Sequence, residues 1–245
     1  MATINGNDSA NNLVGTNAAD TIRGRDGDDV VRGRGGNDRI YGDDDGDRLY
    51  GDDGDDTIAG GKGEDRMYGG AGNDTLTDES GNDSAFGDAG NDQIDVGEGD
   101  DTADGGTGND TIYGREGNDI LLGGDGTDRL FGGDGNDVMS GGNGNDTIVG
   151  GEGNDRIDGG RNNDRMTGGE GGDTFVFTWG KDIITDFESG DDDLDLSGIS
   201  GVNNFGDVQA AARQVGNNLV LDFGQHEVTL LNTTIGSVDD DDFIF

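Results

Sequence analysis

The feature that most constrains this chain is a nine-residue period that never slips. From Gly15 to Val176 the frame runs through eighteen units with no insertion or deletion. The sixth position is Asp in every unit: Asp20, Asp29, Asp38, Asp47, Asp56, Asp65, Asp74, Asp83, Asp92, Asp101, Asp110, Asp119, Asp128, Asp137, Asp146, Asp155, Asp164 and Asp173. The eighth is always apolar, from Ile22, Val31 and Ile40 at one end to Ile157, Met166 and Phe175 at the other. Low-complexity disorder does not hold phase in this way; a fixed period marks stacked repeats.

Composition alone points elsewhere. Among 245 residues there are 53 Gly, no Pro and no Cys, only 28% are apolar, and the formal charge is -40. Such a chain reads as a disordered polyanion, with too little apolar surface to offset the entropy of ordering and a charge that opposes compaction. Nucleic acid is excluded as a partner, because binding it needs Lys and Arg to displace counterions. Cations are the natural ligands. The opening MATINGNDSANNLVG has no basic n-region and no apolar h-region, so no Sec-type signal peptide is expected. No transmembrane segment is expected either. The lack of Cys fits the cytosol, and equally an exported protein stabilised by something other than disulfides.

Each unit divides into G-G-x-G-x-D, which is turn chemistry, and x-apolar-x, a minimal strand with one residue facing inward. One inward residue in nine makes no core alone. Two units per coil, stacked, place two rows of these residues face to face. Nine coils at about 4.8 Å give a rod of roughly 43 Å, and parallel crossovers predict right-handed coiling. Units i and i+2 then share a side, and their Asp side chains form two columns spaced by about 4.8 Å. Bare columns of this kind repel. Ca²⁺ between turns reverses the repulsion, since it takes six to eight oxygens in irregular geometry, whereas Mg²⁺ demands an octahedron. With no Cys and a single His, the usual Zn²⁺ ligands are missing.

The units resemble the G-G-x-G-x-D-x-U-x nonapeptide of RTX (repeats-in-toxin) proteins, over 162 of the 245 residues. The resemblance implies an all-β, parallel β-roll (a two-sheet β-solenoid) in which Ca²⁺ bridges adjacent turns through these eighteen Asp residues and turn carbonyls. Sixteen i/i+2 pairs set a ceiling of about 16 ions, which would bring the charge to roughly -8 and let the ions decide whether the chain folds.

Departures are local. Position four is Ala18 in unit 1, Asp45 in unit 4 and Asn162 in unit 17; Asn tolerates the left-handed region. Unit 8 loses both leading glycines, and units 8 and 10 carry Ala85 and Ala103 inside, so a thin core and weaker ion sites are expected there. Before Gly15, GNDSANNLV reads as a decayed unit closing the open end. The expected organisation is a capping segment over 1–14, the roll over 15–176 and a small β-rich cap over 177–245.

In that last region DIITDF and DLDLS read as short strands. Asn204 is a helix cap, Phe205, Val208, Ala212 and Val215 give one helical face, and Gly216 ends the helix. NNLVLDFG and HEVTLLN read as a hairpin. The DIITDF…DDDLDLS pattern resembles the segment after the roll in serralysin-type proteases. The ending DDDDFIF resembles an uncleaved type I secretion signal, and it is equally compatible with a terminal strand tucked into the cap.

Catalytic chemistry is hard to place. His226 is the only His, so neither an H-E-x-x-H zinc site nor a Ser-His-Asp triad is available, and it reads as structural. No G-x-S-x-G or Walker motif occurs, and the G-x-G strings are turn glycines outside any βαβ unit. Tyr50, Tyr68 and Phe86, at position nine of successive rungs, and Tyr113 with Phe131 on the other side, form aromatic tracks. They read as ladders stabilising their own sheets, with an extracellular polysaccharide as the alternative ligand. Position three has Thr only at Thr107, which argues against ice binding. The expectation is a secreted, extracellular, non-catalytic calcium-binding protein exported by type I machinery. The rival readings are the carboxy-terminal module of a larger secreted protease, lipase or epimerase, and a matrix protein that binds polysaccharide.

Overall fold

The computed structural model describes residues 1–245. Alternate units build opposite walls of a β-solenoid. One sheet has 14 strands and the other 12; as far as Asp193–Asp195, consecutive strands of the chain fall in different sheets, and neighbours within a sheet are two strands apart in sequence. The pairing is parallel and in register at eighteen residues, with Thr21 opposite Arg39, Ile22 opposite Ile40 and Ser84 opposite Thr102. Two nonapeptides therefore make one coil. Twelve parallel strands per wall give a rod of about 53 Å.

The strands are longer than the repeat suggests. Most span six residues, such as Thr21–Asp26, Arg48–Asp53 and Thr147–Glu152, and so cover positions seven to nine of one unit plus one to three of the next. The turn proper shrinks to positions four to six. The glycine at position one faces inward beside the apolar residue at position eight: in Arg48–Asp53 both Leu49 and Gly51 are buried. A side chain on that glycine would strike its neighbours. At Gly42 it would meet Asp47 Oδ2 and, at 2.5 Å, the carbonyl of Gly60. What looks like turn glycine in sequence is therefore strand glycine, selected for close packing.

At position four the constraint is conformational. Gly72 has φ +143, and the expected substitutes Asp45 and Asn162 take φ 77 and 84. Position five is often Asn because it forms an outer ladder, in which Asn91 donates backbone and side-chain N–H to Asn73 Oδ1 at 2.9 Å.

The core is a double file of position-eight residues from Ile22 to Phe175, each exposed by 1% or less, continued by Ile184 and Leu194. The parallel stack runs past Val176. Lys181–Ile184 pairs with Arg165–Glu170, and Asp193–Asp195 pairs with Thr174–Val176. At the other end Thr3–Asn5 and Asn12–Val14 are the first rungs of the two walls. Glu227–Leu230 adds a last parallel strand to one wall and pairs antiparallel with Asn218–Asp222, as the hairpin reading predicts. The helix starts on its Asn204 cap but covers only Phe205–Ala211. Ala212–Val215, read from sequence as its last turn, is instead a strand antiparallel to Asn218–Asp222, and Val215 is exposed. The final apolar residues form the strand Phe243–Ile244 beside Asp193–Asp195.

Candidate metal centre

All eighteen repeat Asp residues are buried, none exposed by more than 3%. They form two columns, one from Asp20 to Asp164 and one from Asp29 to Asp173, each stepping by eighteen residues. Within a column each Asp backbone N–H donates to Oδ1 of the Asp one coil later, as in Asp38 to Asp56, Asp101 to Asp119 and Asp137 to Asp155, at 2.7 to 2.8 Å. One oxygen of every carboxylate is thus committed to the backbone, a use that spacing alone does not reveal.

The second oxygen is free. Oδ2 of every repeat Asp from Asp29 to Asp173 is inaccessible to solvent and accepts no hydrogen bond. A buried polar atom without a partner carries a cost of about 1–3 kcal/mol, more for a charged group, and seventeen of them in two files call for a shared partner. Oδ2 lies on the side of the position-one glycine, as at Gly132 beside Asp137, and the turns add bare carbonyls of their own. Those of Gly54, Gly72 and Gly90 accept no hydrogen bond, and each lies where a Cβ on the glycine one coil later would stand. Carboxylate oxygens and bare carbonyls are the donor set of a hard, oxygen-seeking cation such as Ca²⁺. The residues present fit that ion.

Asp20 differs from the rest. Its Oδ1 accepts the Ala2 N–H, and its Oδ2 accepts both the backbone N–H and the hydroxyl of Thr16 at 2.8 Å. These hydrogen bonds, first the one from Ala2, hold its carboxyl below the usual range. It is the least available member of the set. In the interior the direction reverses. Burial pushes Asp47, Asp92, Asp101 and Asp155 up to about 7 and Asp164 to about 8, with the backbone N–H opposing and neighbouring carboxylates adding to the rise.

Two further residues continue the columns. Asp164 donates to Asp182 at 3.0 Å and Asp173 to Asp192 at 2.9 Å, and both acceptors are buried. Their signal is present in the sequence: Gly180, Asp182 and Ile184 hold positions four, six and eight of a nineteenth unit, and Asp192 and Leu194 follow after a one-residue slip. Asp192 Oδ2 is closed off by the Glu188 N–H at 2.8 Å.

The aromatic tracks stack on themselves. Tyr50 and Tyr68 lie 4.9 Å apart and Tyr68 and Phe86 5.1 Å apart, their ring planes nearly parallel, with Arg32 over the outer face of Tyr50 at 4.0 Å. Tyr113 and Phe131 do the same at 5.0 Å. His226 packs edge-on against Trp179 at 4.7 Å, and its Nδ1 accepts the Gly180 N–H at 3.4 Å. No helix is long and apolar enough to cross a membrane.

A two-walled solenoid with a file of half-satisfied carboxylates along each row of turns defines a cation-binding β-roll. The profile of the RTX calcium-binding nonapeptide repeat, written as four copies, matches residues 5–40, 41–76, 68–103, 104–139 and 140–175. The chain belongs to this family. Among solved structures it is similar to the extracellular lipase LipA from Serratia marcescens, with 20% identity and a TM-score of 0.31 over 98% of this chain and 39% of the lipase. It is also similar to the AlgE6R3 subunit of the Azotobacter vinelandii mannuronan C5-epimerase, with 26% identity and a TM-score of 0.27 over 61% of this chain and 81% of that subunit. The chain thus spans well under half the length of the lipase. Among curated proteins nothing matches.

Proposed function

We propose that the chain is a secreted calcium-binding protein whose roll folds on Ca²⁺ outside the cell after type I export, with no catalysis of its own. The repeat Asp carboxylates and turn carbonyls hold the ions, and residues 1–14 and 177–245 close the two ends. The observation that carries this reading is the unbroken file of buried, unpartnered Oδ2 atoms from Asp29 to Asp173. With a charge of -40 the empty roll repels itself, so where free Ca²⁺ is scarce the unfolded chain is favoured. Extracellular calcium modules work at about 10⁻⁴ to 10⁻³ M, and binding free energy becomes folding free energy.

Circular dichroism through a Ca²⁺ titration tests the proposal. Little β signal is expected in EGTA and a cooperative gain is expected in the millimolar range; a full β signal persisting in excess EGTA at neutral pH overturns it. The polysaccharide alternative has weaker support, because sugars dock on ring faces, and the faces of Tyr68 are covered by Tyr50 and Phe86.

A further inference from the structure

Units 8 and 10 break the repeat in a coordinated way. Among the eighteen units only these two replace the position-one glycine, with Asp78 and Val96, and only these two carry Ala at position eight, Ala85 and Ala103. The two positions face each other within a unit. A Cβ on Gly15 would lie 3.1 Å from Ile22 Cδ1, and one on Gly168 would lie 3.0 Å from Phe175 Cζ. The side chain added at position one therefore occupies the volume that Ala gives up at position eight. In unit 10 the core is therefore not thinned but refilled from the other wall, and Val96 is fully buried. In unit 8 position one is instead a carboxylate, partly exposed but with its Oδ2 closed off from solvent. Packing does not require that charge, and burying it is costly unless something pairs with it.

Asp78 Oδ1 accepts the Glu79 N–H at 2.7 Å, while its Oδ2 has no partner in the protein. Asp78 extends toward Gly60 and Asp65 in the preceding coil. Carboxylate oxygens of Asp65, Asp78 and Asp83 all lie within 4.8 Å of one another. Asp65 and Asp83 are exposed by 1% and 2%, and Oδ2 of all three is inaccessible and accepts no hydrogen bond. None of the three is in a salt bridge. Elsewhere the repeat offers an ion two carboxylates, from one Asp and its partner one coil on; here a third converges from the opposite wall's strand.

We infer that Asp65, Asp78 and Asp83 form a cation site of a separate class, in which three carboxylates hold one hard, oxygen-seeking ion more tightly than the two-carboxylate sites of the regular repeat. The inference rests on the calcium reading above and adds to it a strongest site, in units 6 and 8, that releases its ion more slowly than the others. Each carboxylate beside a divalent ion strengthens its binding electrostatically, and a trivalent lanthanide, which matches three negative charges, gains most.

The test is Ca²⁺ binding to the full chain by equilibrium dialysis, with folding followed by circular dichroism, for wild type, Asp78→Asn and Asp78→Gly. Asn keeps the volume and removes the charge, while Gly restores the repeat's own residue, so failure of one variant to fold leaves the other informative. In the calcium-loaded wild type one ion per chain is expected to exchange with labelled Ca²⁺ across the dialysis membrane at least about tenfold more slowly than the rest. In both variants that ion is expected to exchange like the others, and La³⁺ at one equivalent is expected to displace it from wild type. Calcium exchange that is the same in all three proteins overturns this inference and leaves the roll intact. Absence of any calcium binding by wild type overturns the calcium reading itself.

Discussion

At Gly132 a methyl group has no room. A Cβ there would stand 2.6 Å from the Gly150 carbonyl and would strike the carboxylate of Asp137. Gly132→Ala must displace either the next coil or the side chain that offers Oδ2 to an ion, so it is expected to cost about 1–3 kcal/mol in calcium-loaded thermal melts. Gly236→Ala, with nothing within 4 Å, is expected to be neutral. The exchange of volume in unit 10 is open to a sharper test, because Val96 and Ala103 are both fully buried. Val96→Gly opens a void and Ala103→Leu overfills the coil, whereas the pair together restores the pattern of the regular unit. A double-mutant cycle by denaturant unfolding in saturating Ca²⁺ is expected to give a favourable coupling of about 1–3 kcal/mol. Additive effects would mean that the two positions do not share one space.

Among the elements, the closing strand shows how the end of the roll is sealed. Phe243–Ile244 pairs with Asp193–Asp195, and Leu194 and Leu196 beneath it are fully buried. Asp242 holds it in place: it accepts the Gly190 N–H at 2.7 Å, the Ser189 hydroxyl at 3.0 Å and the Asp239 N–H at 2.7 Å. Asp242→Ala leaves the Gly190 and Asp239 N–H groups unpaired and is expected to cost about 1–3 kcal/mol, seen as a lowered midpoint in calcium-loaded melts. Asp240→Ala, whose side chain makes no such bond, serves as the control. Legibility in sequence followed the same division between repeated and singular elements. The eighteen-residue coil, the two walls, the core file and the Asp columns all follow from one period, because any unit reports on its neighbours. The helix did not. Phe205, Val208, Ala212 and Val215 keep a helical spacing, yet Ala212–Val215 gains more as a strand, where Gly216 with φ +63 makes a tight return to Asn218. The nineteenth unit was hidden for a different reason. Gly180, Asp182 and Ile184 stay in frame while every other position has changed, so composition signals an ending where the register continues. Nor does spacing reveal that Oδ1 bonds to the backbone while Oδ2 is left free, since that depends on which side of each carboxylate the next coil covers.

For the whole molecule, protons and calcium compete for the same oxygens, and each relieves the repulsion along the columns. Burial raises Asp56, Asp74 and Asp146 to about 6, Asp92 and Asp155 to about 7 and Asp164 to about 8, from 3.8 in the unfolded chain. Between those limits the folded roll binds more protons than the unfolded chain does. Stability without metal is therefore fully present below about 4 and is lost as pH rises through 6 to 8. Each proton removes a negative charge from a column, and in that respect it stands in for an ion. In EGTA, then, the chain is expected to hold more β structure at pH 5 than at pH 8. In saturating calcium the trend is expected to vanish, because the loaded ligands are carboxylates, those of the unfolded chain are already ionised above about 5, and folding on the ion therefore exchanges few protons. Circular dichroism over that pH range, with EGTA in one series and saturating Ca²⁺ in the other, measures both slopes on one protein. A falling slope in EGTA and a flat one in saturating Ca²⁺ are expected. Equal slopes in the two series would mean that the buried carboxylates are not where protons and calcium meet.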